Sequence, residues 1–230
     1  MRGGVEVQIV RVGTLTAFER SQMEALYRAH YEGASDAAFA RDLDAKDLTI
    51  LLKDGGQVCG FSTVVVSPFE GMRILFSGDT VVDAAHRNQA GLAGAFGHVM
   101  RHFNEIGGDP LYWFLVCKGA RTYRFLPTFF KRFTPGAVDE HELATRLRRV
   151  AAARFPDEYD AATGVLHFTG ETDRLKTDVL RMDEESVRFR TLNPGWAKGE
   201  ELCCFVPLAM DNLNSLGERV IAAVEPKWRV

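Results

Sequence analysis

The chain has 230 residues, of which 46% are hydrophobic and 26% are charged, and its formal net charge is −3. This length can bury a sizeable core, and the composition is typical of an ordinary soluble globular chain. No stretch approaches the roughly 18 to 20 consecutive apolar residues of a bilayer span, and Arg2, Glu6, Arg11 and Glu19 interrupt the region where a signal peptide would be apolar. We therefore expect a cytoplasmic protein without a membrane span, built as one compact domain or two small ones.

Cysteine and histidine spacing gives no sign of a metal site. The four cysteines lie in apolar runs and form neither a CxxC motif nor a Cys/His pattern, so buried thiols are expected. His98 and His102 have the i, i+4 spacing of metal ligands, but no third ligand accompanies them, so surface histidines are expected there. The cysteines are Cys59, Cys117, Cys203 and Cys204.

Basic residues are unevenly distributed along the chain. From Lys118 to Arg154 there are nine Lys or Arg residues against three acids, a net charge of +6, so the rest of the chain carries −9. No zinc-finger, aromatic RNA-binding or basic-zipper pattern accompanies the stretch, so no nucleic-acid partner is expected. The stretch fits the phosphates of a small ligand or an acidic protein partner. A solvated helix face is the alternative that remains open.

The first half of the chain predicts a strand, two helices and an antiparallel meander. Residues 5–12 alternate apolar and polar side chains, which is typical of a strand with one buried face. Ser35 is the expected N-cap of the second helix. The glycine-containing segments at 54–56 and 68–71 have the turn chemistry that joins neighbouring strands. The predicted elements are a strand at 5–12, helices at 15–31 and 36–43, and strands at 48–53, 58–67 and 72–83.

The second half predicts a long helix, a buried strand and a less regular remainder. Leu92, Phe96 and Val99 recur at helical spacing, whereas Leu111–Cys117 is continuously apolar, as a strand buried on both faces would be. Pro127 is expected to interrupt the next helix or to mark its first turn. The predicted elements are a helix at 91–106, a strand at 111–117, a helix from 120, a helix at 140–154, strands at 164–169, 186–191 and 201–207, and a helix at 211–224.

The order of these elements predicts the fold class. Strand, helices, meander, helix, central strand and helix alternate too much for an all-β sandwich and contain too many hairpins for a doubly wound dinucleotide fold. We expect an α/β fold of the α+β type, with a mixed, mainly antiparallel central sheet flanked by helices.

The turn that follows the third meander strand has the features of an anion site. It runs from β-branched residues through Arg87 and Asn88 into a helix that opens with small residues. A helix N-terminus presents unpaired N–H groups and a partial positive charge, so it binds phosphate or pyrophosphate. Gly91, Ala93 and Gly94 would let such a ligand approach the backbone. The same small residues can instead serve to pack the helix against the sheet.

Over roughly residues 5 to 133 the sequence resembles the GCN5-related N-acyltransferase superfamily, both in element order and in this turn. The family's turn reads Arg/Gln-x-x-Gly-x-Gly/Ala, and here it reads Arg87-Asn88-Gln89-Ala90-Gly91-Leu92-Ala93, with alanine in place of the first glycine. The family's usual asparagine after the fifth strand is replaced by Cys117-Lys118. Tyr123 stands close to the position where the family places a tyrosine near the thioester sulfur.

The resemblance implies a donor, a division of the chain and a set of site residues. The donor would be acyl-CoA as first choice, or the phosphopantetheine of an acidic acyl carrier protein as second, with an amine as acceptor. Residues 1–133 would form a donor-binding core, and residues 134–230 would complete the sheet and shape the acceptor site. Tyr123 would serve as the acid for the leaving thiolate, with a buried core tyrosine as the alternative. The donor-binding residues would be Val81, Val82, Arg87, Asn88, Gln89, Ala90, Gly91, Leu92, Ala93, Arg121 and Arg124.

Asp79 is the candidate general base. Strand alternation would place Leu75, Ser77, Asp79 and Val81 on one face, so Asp79 is a carboxylate in the middle of an otherwise apolar strand, which is unfavourable for an unpaired charge. It can act as base or amine-binding carboxylate, or as structural partner of an arginine such as Arg73. The adjacent Gly78 indicates a bulge or a close backbone approach.

The reaction class is direct transfer, since no serine or cysteine has the surroundings of a nucleophile. A phenylalanine-rich run, Phe125, Phe129, Phe130 and Phe133, suits either a long acyl chain or an ordinary core. The competing hypotheses are a protein that keeps the fold without the chemistry, as a scaffold, and an acyl-thioester sensor.

Overall fold

A computed structural model describes residues 5–32, 35–87, 90–136, 138, 140–168, 174–175 and 183–230. The structure has mixed α/β architecture, as the sequence predicts. Its helices are α1 (Ala17–His30), α2 (Asp36–Asp44), α3 (Gly91–Ile106), α4 (Ala120–Tyr123), α5 (Phe125–Phe129), α6 (His141–Arg154), α7 (Glu184–Leu192) and α8 (Ser215–Ala222). Its strands are β1 (Glu6–Arg11), β2 (Tyr31–Glu32), β3 (Leu48–Asp54), β4 (Gln57–Phe69), β5 (Met72–Val82), β6 (Leu111–Cys117), β7 (Tyr159–Asp160), β8 (Val165–Leu166), β9 (Arg174–Leu175), β10 (Glu201–Pro207) and β11 (Lys227–Arg229).

Nine strands form one sheet in the order β11-β1-β3-β4-β5-β6-β10-β8-β7, while β2 and β9 pair separately. The predicted meander is present as β3, β4 and β5, which pair antiparallel. Two pairs are parallel, β5 with β6 and β1 with β11. The sheet is therefore mixed and mainly antiparallel. Strands from beyond residue 134 extend it on both sides, because β10 pairs with β6 and β11 pairs with β1.

The two faces of the sheet are covered by different helices. On the α3 face, apolar residues of α3, α4, α5 and α8 pack on the sheet around Leu75 and Trp113. On the opposite face, which we call the α1 face, α1 and α2 pack around Phe61 in one cluster, and α6 packs around Ile74 and Phe114 in another. The α3 face thus has one continuous core, whereas the α1 face has two separate clusters.

Helix α1 is fastened to β3 and β11 by a buried carboxylate. Thr16 and Glu19 form a capping box at its N-terminus, and the Glu19 carboxylate also accepts from Lys53 at 2.6 Å and from Arg229 at 2.7 Å. Burial alone would raise the pKa of Glu19, but hydrogen bonds from Arg229, Lys53 and Thr16 outweigh that effect and lower the pKa to about 2. Glu19 therefore stays ionised in the interior and holds β11 beside β1.

The structure corrects several predictions for the C-terminal half. Residues 186–191, predicted as a strand, lie in helix α7, because Asp183 caps its N-terminus by accepting from the Ser186 N–H and acidic residues fill its first turn. The last helix begins at Ser215 rather than Asp211, because the Asn214 side chain caps it there. The strand predicted at 164–169 is limited to β8, and Thr169 lies outside the described residues.

The two helix α3 histidines are packing residues and not the surface histidines expected. The His98 ring contacts the Val224 carbonyl oxygen at 2.7 Å, and the His102 ring lies 4.8 Å from the ring of Trp228. Both are partly buried, because α8 and β11 cover this side of α3. Across the described residues no cluster of His, Cys, Asp and Glu is arranged to hold a metal ion, and the four cysteines are buried free thiols. Within the same residues, none of the helices is long and apolar enough to cross a bilayer.

Candidate functional site

The parallel strands β5 and β6 separate toward their carboxyl ends. They pair from Arg73 with Leu111 to Ser77 with Leu115, and their described register ends there. Beyond this point β5 stays paired to β4 through Val82, and β6 stays paired to β10 through Cys117. The facing edges thus have backbone N–H and C=O groups with no ladder partner among the described residues. Ligands of open α/β sheets bind at this kind of opening, at the carboxyl ends of parallel strands.

A β-bulge occurs in β5 where this opening begins. Ser62 of β4 pairs with Thr80 and Val64 pairs with Ser77, so that Gly78 and Asp79 together lie opposite one residue of β4. Gly78 therefore marks a bulge, as the sequence indicates. The half-buried Asp79 is part of the bulge and lies two residues after Ser77, the last β5 residue that pairs with β6.

The bulge corrects the predicted alternation of side chains along β5. The sequence predicted that Val81 shares a face with Leu75 and Ser77. Because the bulge inserts one residue, Val81 instead packs with Phe61 on the α1 face, while Val82 joins the core of the α3 face. Regular alternation cannot show this reversal, since it assumes an uninterrupted pleat.

Gly78 is closely surrounded on the α1 face. A Cβ atom at this position would lie 2.6 Å from Thr63 Oγ1 and 2.8 Å from Lys46 Cε. The Thr63 hydroxyl is buried and has no hydrogen-bond partner among the described residues. These contacts leave no space for a side chain at this position. Backbone conformation is not the reason for the glycine, since Gly78 does not have a left-handed conformation.

The described contacts of Arg73 do not tie it to the bulge. Its guanidinium donates to the carbonyl oxygens of Asp109 at 2.8 Å and Phe103 at 2.7 Å. Arg73 thus fastens the end of α3 to the start of β5 and is occupied far from Asp79 along the strand. The general-base role of Asp79 stays a prediction from the sequence.

Helix α3 follows β5 along the chain and starts at Gly91, where a Cβ would contact Val7 of β1 and Leu52 of β3. Among the described residues, its N-cap residue Ala90 provides no side-chain hydrogen bond to the first turn. The backbone N–H groups of a first turn lack intrahelical acceptors, so residues 91–93 present donors to an anion. Arg87 lies beside them and donates from Nε to the Val82 carbonyl oxygen at 3.0 Å. Asn88 and Gln89 lie outside the described residues, and Ala90 is exposed at the N-cap.

The later small residues of α3 serve packing. A Cβ at Gly94 or Gly97 would lie within 2.5 Å of a side-chain atom of Val224 or Ile221, so these glycines let α8 approach α3. The packing interpretation thus holds for Gly94, whereas Gly91 and Ala93 belong to the first turn. Leu92 is buried in the core of the α3 face.

Tyr123 lies in the core of the α3 face. Its side chain is fully buried between Phe133 and Phe189, and its hydroxyl donates to the Pro135 carbonyl oxygen at 3.0 Å. Burial raises the pKa of Tyr123, so the phenol remains protonated at any physiological pH. This geometry is that of the buried core tyrosine, which was the alternative to the acid role.

The basic stretch is partly neutralised by local acids. Arg124 pairs with Asp183 at 2.6 Å and donates to Ser186 at 2.9 Å, which ties α4 to the start of α7. Arg121 is exposed on α4. Further pairs join the stretch to acids: Lys118 with Glu201, Arg132 with Glu140, Arg146 with Glu142 and Arg149 with Glu70. Glu140 and Glu142 are already counted in the +6, so pairing with the outside acids Asp183, Glu201 and Glu70 lowers the net charge of the stretch to +3.

An apolar cavity lies on the α3 face between α3, α5 and α8. Phe125, Phe129 and Phe130 from the predicted phenylalanine run line it together with Phe96 and Trp113. The Trp113 indole donates to the Ser77 hydroxyl at 2.8 Å, and Ser77 is the last β5 residue paired with β6. The cavity thus adjoins the point where the strands part.

The parting strands and the bulge define a candidate ligand site at the carboxyl ends of β5 and β6. The sheet is mixed and mainly antiparallel and is flanked by helices, as expected from the sequence. No protein-family model matches the sequence, and no curated protein matches it.

Several solved structures are similar in part. A GNAT family N-acetyltransferase from Escherichia coli in complex with CoA has 20% identity and a TM-score of 0.43, and the match covers 64% of this chain and 75% of that one. The NatC complex bound to Gag peptide and CoA has 12% identity and a TM-score of 0.44, with 89% and 99% covered. Glucosamine-6-phosphate N-acetyltransferase from Arabidopsis thaliana has 13% identity and a TM-score of 0.37, with 48% and 82% covered. At this level the similarity concerns fold alone.

Proposed function

We propose that this protein transfers an acyl group from an acyl thioester, with acyl-CoA as first choice, directly to an amine. The observation that carries the proposal is the separation of β5 from β6 after Ser77, in the strand that leads through the turn 83–90 to the start of α3 at Gly91. An extended pantetheine arm needs a slot with free backbone groups, and a pyrophosphate needs a helix N-terminus. In this chain the turn 83–90 connects the strand with the first feature to the helix with the second.

The donor would lie with its phosphates at the turn 87–93 and its thioester between β5 and β6. Arg87 and the first-turn N–H groups of α3 would bind the pyrophosphate, with Asn88 and Gln89 in the same turn. Backbone groups of Val81 or Val82 would polarise the thioester carbonyl. Arg121 and Arg124 remain proposed phosphate contacts, although the ion pair of Arg124 with Asp183 would have to open.

The chemistry would be direct aminolysis. The amine nitrogen attacks the thioester carbonyl carbon, the carbon–sulfur bond breaks, and the acyl group becomes an amide. Asp79 would accept the proton that the amine loses, and the thiolate would take up a proton from solvent. The proton-donor role of Tyr123 remains a prediction from the resemblance. Its hydroxyl already donates to the Pro135 carbonyl oxygen and would have to leave it to protonate the thiolate.

An acyl carrier protein remains the second donor candidate. It would supply the same thioester, but the phenylalanine-lined cavity beside Ser77 has only about 20 Å³ of free space, which does not hold a long acyl chain. The ion pairs within the basic stretch argue against that stretch as a docking surface for an acidic protein. CoA therefore stays first.

The second candidate function is acyl-thioester binding without transfer. The engagement of the Tyr123 hydroxyl and the replacement of the family's asparagine by Cys117-Lys118 favour it. The two candidates share the donor site and differ in turnover.

The test is thiol release from acyl-CoA of several chain lengths with a panel of amines. We expect amine-dependent release, and we expect Asp79→Asn to reduce it by about 10²- to 10⁴-fold, the usual contribution of a general base. The control is Asp157→Asn, which changes an exposed aspartate in the turn after α6. Stabilisation by CoA without any thiol release would establish the binding function instead, and loss of both would overturn the proposal.

A further inference from the structure

His86 joins the turn after β5 to the end of strand β3. Its Nε2 atom lies 3.1 Å from Asp54 Oδ2, and Asp54 is the last residue of β3. The backbone N–H of His86 donates to the Asp83 carbonyl oxygen at 2.9 Å, and the Asp83 N–H donates to the Cys59 carbonyl oxygen of β4 at 2.8 Å. The turn is therefore held to both strands of the β3–β4 hairpin.

The start of α3 is held against the same strand. A Cβ atom on Gly91 would lie 3.2 Å from Leu52 Cδ2, so the backbone of α3 packs closely on β3. Leu52 lies two residues before Asp54, which is about 7 Å along a strand. His86 and Gly91 thus fix, against one short part of β3, the two ends of the segment that contains Arg87.

This segment carries the proposed pyrophosphate contacts. Arg87 follows His86 directly and donates from Nε to the Val82 carbonyl oxygen at 3.0 Å, and the first-turn N–H groups of α3 begin at Gly91. Such donors bind an anion well only if they already have the right arrangement, because ordering them on binding costs affinity. Fixing both ends of the segment supplies this arrangement before the ligand arrives.

Two carboxylates face the His86 ring, and one of them is its hydrogen-bond partner. Nε2 contacts Asp54, whereas Nδ1 lies 3.8 Å from Asp83 Oδ2, which is too long for a hydrogen bond. The Asp83 carboxylate instead caps its own turn by accepting from the Ala85 N–H at 3.4 Å. Among the described residues Nδ1 has no hydrogen-bond partner, so the imidazole is anchored through Asp54.

The contact between His86 and Asp54 lies near the surface. The His86 side chain is 19% exposed, and the Asp54 side chain is 49% exposed. Ion pairs with this much exposure contribute little to the free energy of unfolding. Loss of the contact should therefore leave the fold intact and act on the turn alone.

We propose that His86 is a positioning residue of the donor site, whose contact with Asp54 holds Arg87 and the first turn of α3 in the arrangement that binds the pyrophosphate of CoA. This inference rests on the proposed acyl transfer and adds to its donor site a residue that acts through its neighbours.

Asp54 separates this role from an effect of charge. If His86 acted only as a positive charge, removal of the Asp54 carboxylate would strengthen CoA binding, because a negative charge near the phosphates would be lost. If His86 acts as an anchor, removal of Asp54 weakens CoA binding to the same extent as removal of His86.

The experiment measures the Kd for CoA by isothermal titration calorimetry in the wild type, His86→Ala, Asp54→Ala and the double variant. We expect each single substitution to raise the Kd about tenfold, which equals the cost of ordering one or two side chains on binding. The double variant should lose no more than either single variant, because both substitutions break one contact. All melting temperatures should stay within about 4 °C of the wild type.

His167→Ala is the matched control. His167 also pairs with an acid, Glu200 at 3.3 Å, but it follows β8 near the opposite edge of the sheet. Its removal should leave the Kd for CoA unchanged. In thiol release, His86→Ala should raise the KM for acyl-CoA about tenfold, while kcat and the KM for the amine change by less than twofold.

Three results would overturn the inference and leave the proposed function standing: a wild-type Kd in His86→Ala, additive losses in the double variant, or tighter CoA binding by Asp54→Ala. A wild type that binds no CoA would overturn the inference and the proposed function together. The comparison of Kd values decides the role of His86 even if the protein binds acyl thioesters without transferring the acyl group.

Discussion

The substitution Gly78→Ala tests the geometry of the bulge. Its added methyl would lie 2.6 Å from Thr63 Oγ1 and 2.8 Å from Lys46 Cε, so neighbouring atoms must move. Overpacking of this kind costs about 1–3 kcal/mol. The backbone itself tolerates alanine, and the smaller entropy of the unfolded chain returns about 0.4–1 kcal/mol. We therefore expect a net loss near 1 kcal/mol, which corresponds to a melting temperature lower by roughly 2 to 4 °C for a chain of this size.

Gly13→Ala is the matched control, since its methyl would have no atom within 4 Å. It should leave stability unchanged or raise it slightly. Thermal unfolding followed by circular dichroism gives both values. In thiol release, Gly78→Ala should lose roughly tenfold to a hundredfold of kcat/KM, because displacement of the bulge misplaces Asp79. Equal melting temperatures and equal turnover for the two variants would refute the close packing at the bulge.

Two further predictions concern buried polar groups. Glu19→Gln should lose about 3 kcal/mol at pH 7, since its pKa of about 2 lies below the ordinary 4.5. The lowered pKa gives stability that is present above pH 4.5 and lost toward pH 2, so urea midpoints of the wild type should fall in that window and those of Glu19→Gln should fall less. The control Glu24→Gln, on the same helix, should match the wild type. If the midpoints of Glu19→Gln fell as steeply with pH as those of the wild type, the role of its ion pairs would be contradicted. Tyr123→Phe removes one buried hydrogen bond and should cost about 1–2 kcal/mol with turnover kept within threefold. A hundredfold loss of kcat in Tyr123→Phe at unchanged stability would instead assign it the acid role.

Much of the fold can be predicted from local pattern. The meander, α3 and β6 follow from periodicity and turn chemistry, and the Gly78 bulge follows from a glycine beside a charged residue within a strand. The strand predicted at 186–191 was wrong. The apolar residues there alternate over a short span, whereas the deciding signal is the Asp183 cap three residues before Ser186. Strand β11 has no local signature, because its place depends on pairing with β1 at the other end of the chain.

The candidate site divides in the same way. Asp79 and the turn 87–93 have a local signal, so sequence reasoning finds them. Lys46 was missed as a neighbour of the bulge, because the sequence shows only an ordinary i, i+4 pair with Asp42. The folded sheet brings its side chain against Gly78. The ion pair of Arg124 with Asp183 was likewise hidden, since the two residues lie far apart in the chain.

The most direct test of the account is a crystal structure of the protein with bound CoA. The account predicts density for the pantetheine arm between β5 beyond Ser77 and the end of β6, with the pyrophosphate at the first turn of α3. The sulfur should end near the bulge at Gly78 and Asp79. CoA bound elsewhere, or a closed pair of strands with no CoA at saturating concentration, would contradict the central claim.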